Sequence, residues 1–96
     1  MMRTLQILIE GRVQGVGFRA WLAQEATARG LVGWVRNRRT GAVEAVLAGD
    51  HARVAAMFDA CRHGPPSARV DDVYTIDDVD DGSLGAFTGF EAKATV

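Results

Sequence analysis

A chain of 96 residues, 48% of them hydrophobic, has room for one domain and one modest core. Its net charge of -1 gives no bulk electrostatic case for nucleic acid or a membrane surface. Cys61 is the single cysteine, which excludes an intramolecular disulfide and fits a reducing compartment. The first apolar stretch, Leu5 to Ile9, is too short for a signal peptide and runs into Glu10. No run is long enough to span a membrane, so the expected location is the cytoplasm.

Residues 4–10, TLQILIE, place Leu5, Ile7 and Ile9 on one side and Gln6, Leu8 and Glu10 on the other, which reads as a strand. GRVQGVGFR follows at 11–19, with three glycines and two arginines. Residues 19–29 read as a helix with Trp21, Leu22, Glu25, Ala26 and Arg29 at helical spacings, and Gly30 is placed to stop it. GLVGWVRN at 30–37 reads as a second strand, Val32 and Trp34 on one face, Leu31, Val35 and Asn37 on the other. RRTG at 38–41 signals a turn, and AVEAVLAG at 42–49 completes a hairpin. DHARVAAMFDACRHGPP at 50–66 is the clearest helix. Asp50 is its candidate N-cap, and Val54, Met57, Phe58 and Cys61 form one apolar stripe. Gly64, Pro65 and Pro66 end it. ARVDDVYTI at 68–76 reads as a fourth strand, residues 77–86 as an acidic loop, and FTGFEAKATV at 87–96 as a short last strand. The order βαββαβ with one extra strand predicts an α+β, ferredoxin-like sandwich. It has a mostly antiparallel sheet and two helices on one face, and residues 1–96 form a single domain.

The two helices begin differently. Asp50 can cap the second, whereas Gly17 and Phe18 precede the first and no Ser, Thr, Asp or Asn is nearby. The first amides of any helix lack internal acceptors. Gly15 and Gly17 let the loop turn its own amides inward, so loop and helix start together form a nest for an anion. Arg19 adds a planar guanidinium that grips two oxygens of a phosphate or carboxylate. Charge placement agrees: residues 1–40 hold seven arginines against two glutamates, while residues 67–96 are predominantly acidic. Two phosphate motifs fit poorly. Gly15, Gly17 and Ala20 match G-x-G-x-x-A, but the second strand ends in Val35-Arg36-Asn37, with no acid to hold a ribose. A P-loop needs Lys-Ser or Lys-Thr after its last glycine, where Phe18-Arg19 stands.

GRVQGVGFR and GLVGWVRNRRTGAVEAV resemble the two signatures of the acylphosphatase family, and the resemblance covers nearly the whole chain. It implies a ferredoxin-like fold and metal-free hydrolysis of carboxyl-phosphate anhydrides, with no cofactor. By the same resemblance Arg19 and Asn37 stand where the catalytic residues stand. The backbone of Gln14, Gly15, Val16, Gly17, Phe18 and Arg19 stands where the phosphate cradle stands. The implied partners are a small acyl phosphate and inorganic phosphate. A monomer is expected, with neither nucleic acid nor membrane as partner.

The geometry permits this pairing. A right-handed β-α-β crossover makes the first two strands parallel, so their C-terminal ends share one sheet edge. With one strand between them, Arg19 and Asn37 stand roughly 10 Å apart, a gap that an arginine and a phosphate fill. The leaving carboxylate is a stable anion, so positioning and charge neutralisation suffice. Arg19 and the loop amides would hold the phosphoryl oxygens, and the Asn37 carboxamide would orient water. No Ser, Cys, His or Asp lies in the loop, so no covalent intermediate is expected.

Other residues read as structural. Cys61 lies on the apolar stripe, His51 and His63 at opposite ends of its helix, and Trp21 and Trp34 in packing positions. Asp77, Asp78, Asp80 and Asp81 fail as a calcium loop: with Gly82 as loop glycine, Val79 and Thr88 occupy carboxylate positions. Arg38 and Arg39 read as solvated turn residues able to steer anions. The alternative function is a non-catalytic anion-binding or regulatory module on the same fold. An RNA-binding sheet is disfavoured, because TLQILIE and AVEAVLAG carry no aromatic platform.

Overall fold

The computed structural model describes residues 1–79 and 87–96. β1 (Met2–Arg12), α1 (Phe18–Ala28), β2 (Val32–Asn37), β3 (Val43–Asp50), α2 (His51–Ala60), β4 (Arg69–Val79) and β5 (Phe90–Ala92) follow in chain order. One five-stranded sheet has the order β4-β1-β3-β2-β5. β3 pairs antiparallel with both β1 and β2, β4 pairs antiparallel with β1, and β5 pairs parallel with β2. β1 and β2 are therefore parallel, with β3 between them, in the α+β, ferredoxin-like arrangement that the element order predicts.

One apolar layer joins the sheet to both helices. Leu5, Ile7 and Ile9 of β1, Val43, Ala45 and Leu47 of β3, and Val35 of β2 face Leu22 and Ala26 of α1, Val54 and Met57 of α2, and Cys61 at the end of α2. Asp50 caps α2, its carboxylate accepting from the Ala52 amide. α1 stops at Gly30, whose amide reaches the Thr27 carbonyl. β4 runs on to Val79, three residues past the expected end. Its pairings Gln6–Asp77, Leu5–Asp78 and Thr4–Val79 draw Asp77 and Asp78 out of the expected acidic loop and into the ladder. The long β1 template overrides their poor strand preference. Asp80, Asp81 and the rest of that loop lie outside the described residues. β5 is only three residues long, and the tail after it stays on β2 through the bonds Lys93 N–H to Val35 O and Val96 N–H to Asn37 O.

The helix-free face carries a feature that alternation alone conceals. Glu44 of β3 is 2% exposed there. Its Oε1 accepts from Arg36 Nε and Arg38 Nη1, each at 2.9 Å, and its Oε2 from Gln6 Nε2 at 2.6 Å. Arg38 is thus ion-paired as well as solvent-exposed, its side chain 39% accessible at the turn. Burial alone would raise the Glu44 carboxyl, but the bonds from Arg38, Arg36 and Gln6 together hold it below its usual 4.5. A carboxyl depressed in the folded state stabilises the fold above the unfolded value, and that stability is lost as pH falls through the folded value. Glu44→Gln removes the ionisation. Urea midpoints between pH 7 and pH 3 should therefore decline less steeply below about pH 4.5 in the variant than in the parent. Equal acid slopes would refute the assignment.

Candidate functional site

The connection from β1 to α1 is built on backbone conformations that side chains resist. Gly15 (φ 74°) and Gly17 (φ 78°) both lie in the left-handed region, and an added Cβ on either would meet nothing within 4 Å. The reason for glycine here is therefore torsional, not steric crowding by neighbours. Gly17 is the N-cap of α1, and no side chain caps the helix. The amides of its first turn have no intrahelical acceptors and carry the positive end of the helix dipole. Val13 and Phe18, both about 1% exposed, pin the two ends of the loop in the core.

A pocket of about 230 Å³ opens over this loop, lined by Val13, Gln14, Gly15, Gly17, Phe18, Arg19, Ala20 and Asn37. The fold thus brings Arg19 from the start of α1 and Asn37 from the end of β2 to one concavity. Val16 is not in the lining. Its side chain packs against the core, so its backbone is what it offers the loop. Val13 and Ala20 also line the pocket, beyond the residues expected to form the cradle.

Arg19 is aimed by the chain end. Its Nη1 donates to the Lys93 carbonyl at 2.8 Å, and Lys93 is itself tied to β2 through the Val35 carbonyl. Asn37 is held through its backbone, its carbonyl accepting from the Val96 amide at 3.1 Å. Its side-chain Oδ1 is buried without a hydrogen-bond partner among the described residues. An orphaned acceptor costs on the order of 1–3 kcal/mol, which a water or ligand donor in the pocket would recover.

The lining contains no carboxylate, imidazole or thiol. Burial pushes the Cys61 thiol up to about 12, so it is inert as a nucleophile. His51 and His63 lie on the surface, away from the pocket lining. A larger pocket of about 410 Å³ beside β5 is lined by Glu91 as well as Lys93 and lacks a helix start, so it offers an anion little.

A sequence model of the acylphosphatase family matches residues 5–92 of the chain. The chain is 53% identical over 96 residues to an acylphosphatase of Azorhizobium caulinodans, with 100% of both chains covered. It is 65% identical over 69 residues to an acylphosphatase of Bradyrhizobium diazoefficiens, covering 72% of this chain and 70% of that one. The crystal structure of acylphosphatase from Bacillus subtilis is similar with a TM-score of 0.87 at 33% identity, covering 97% of this chain and 99% of that one.

A pocket of this kind should take inorganic phosphate. Ligand that binds only the folded state raises stability by mass action, by about 2.7 kcal/mol at one hundred times the dissociation constant. Thermal melts with increasing phosphate at constant ionic strength should show a rising Tm in the parent and a flat one in Arg19→Ala. A flat parent response would count against the anion site.

Proposed function

The chain belongs to the acylphosphatase family, and from that premise we propose how its residues hydrolyse a small acyl phosphate to a carboxylate and inorganic phosphate. Arg19 and the amides of Gln14 to Arg19 hold the phosphoryl oxygens, a bidentate guanidinium fork complementing the helix terminus. Asn37 Oδ1 accepts from an O–H of the attacking water, which fixes the oxygen lone pair toward phosphorus. The observation that carries this reading is that Asn37, whose Oδ1 has no hydrogen-bond partner among the described residues, lines the same pocket as Arg19 and the glycine loop.

The remaining steps need little chemistry from the protein. The carboxylate leaves as a stable anion, so no general acid is required. The negative charge on the phosphoryl group is already met by Arg19 and the amides. The phosphoryl group itself takes the water proton. No lining side chain is a nucleophile, so water attacks directly. The lining residue types also supply no hard-metal ligand set, which supports turnover without a divalent ion. We take residues 1–96 as a single domain acting as a cytoplasmic monomer, with neither nucleic acid nor membrane as partner. No helix among the described residues is long and apolar enough to cross a membrane.

Two measurements test the reading. Phosphate affinity beside turnover separates the two side chains. Arg19→Ala should lose both, and Arg19→Lys should recover little, because a point charge cannot reproduce the fork. Asn37→Ala should keep phosphate affinity while turnover falls roughly a hundredfold, about 2.7 kcal/mol. Normal turnover in Asn37→Ala, or an equal loss of phosphate binding, would remove the water assignment. Dialysis against a chelator should leave turnover unchanged, and a loss restored by a divalent ion would overturn the metal-free mechanism.

A further inference from the structure

Gln14 contributes more than its backbone. Its Nε2 donates to the Arg38 carbonyl at 2.7 Å and to the Ala42 carbonyl at 2.9 Å. Both partners are acceptors, so the nitrogen end of the amide must face them and both of its protons are used. Those two carbonyls close the β2–β3 hairpin: the Arg38 amide donates to Ala42 O at 2.8 Å, and the Gly41 amide to Arg38 O at 3.0 Å. Asn37 immediately precedes Arg38 and pairs with Val43, which immediately follows Ala42. The Gln14 amide therefore grips the hairpin at the step next to Asn37.

The phosphate loop and this hairpin belong to strands that are not neighbours, since β3 separates β1 from β2. Among the described residues no backbone hydrogen bond joins loop residues 13–17 to hairpin residues 37–42. The Gln14 side chain is the polar tie between them, and it spans from the cradle to the carrier of the water-orienting carboxamide. In-line attack needs the reacting atoms within about 3–3.5 Å, and a displacement of about 1 Å can cost a hundredfold.

We propose that the side chain of Gln14 is a positioning residue, which sets the distance between the phosphoryl cradle and Asn37 by clamping the Arg38 and Ala42 carbonyls. This rests on the assignment of Asn37 to the water. Gln14→Met keeps the length and volume of the side chain and removes both donors. Gln14→Glu keeps the shape and turns an oxygen toward two carbonyl oxygens.

The test measures acetyl phosphate hydrolysis and competitive inhibition by phosphate, with folding followed by thermal melts. Gln14→Met should lose at least tenfold in kcat while the phosphate inhibition constant stays within about twofold, because the cradle itself is untouched. Gln14→Glu should lose at least as much at neutral pH. It should recover as pH falls toward 5, when the protonated acid can donate one bond, and neither the parent nor Gln14→Met should show that rise. Added to Asn37→Ala, Gln14→Met should cost less than about twofold more, since it acts through Asn37. Full kcat in Gln14→Met alongside an inactive Asn37→Ala would overturn this inference alone. So would phosphate affinity lost in step with kcat, or full additivity in the double variant. A fully active Asn37→Ala would instead remove the water assignment and the clamp with it.

Discussion

β3 pairs on both sides, antiparallel to β1 and to β2, and every residue from Val43 to Gly49 is buried. That double pairing makes β1 and β2 parallel and brings their C-terminal ends to one edge of the sheet. The glycine loop leaves one end and the hairpin with Asn37 stands at the other, so the pocket is a consequence of strand order. The helix layer seals β3 from one side through Val43, Ala45 and Leu47. The other side is sealed by Val46, Ala48 and the carboxylate of Glu44.

The site is economical in side chains because the backbone supplies most of its positive potential. An uncapped helix start is a cost in an isolated segment, and its free amides are what the proposed anion would satisfy. The contrast with α2 makes the point, since Asp50 caps that helix and leaves it less to offer a ligand. Around the pocket, three polar contacts hold Arg19, Asn37 and the arginines beside Asn37. The tail carbonyl of Lys93 aims Arg19, the Val96 amide holds the Asn37 backbone, and Glu44 anchors Arg36 and Arg38 from the opposite face. The residues at and beside the pocket are thus tied to two separate stretches of chain, the tail and β3.

Much of this was legible in one dimension. Alternation in TLQILIE and GLVGWVRN marked the faces of β1 and β2, and the stripe Val54, Met57, Phe58 and Cys61 marked the side of the second helix that packs on the core. The missing cap before α1, beside a capped α2, marked the helix start that lines the pocket. Other features were not visible in this way. Asp77 and Asp78 read as loop because their intrinsic preference is against strands, and only pairing with β1 reverses it. Arg38 read as a free surface charge because nothing local shows that Glu44, six residues on, is buried.

Local pattern determined the elements, the left-handed glycines and the chemical character of the loop, because those follow from backbone torsions and spacing within a few residues. Tertiary structure alone decided what touches Arg19, Asn37 and Gln14. The Arg19–Lys93 bond spans 74 positions and ends on a carbonyl that every residue type carries. The Gln14 bonds span 24 and 28 positions and also end on carbonyls. A backbone acceptor leaves no signature in the identity of the residue that bears it, so contacts of this kind exist only once the sheet has brought distant strands to one edge.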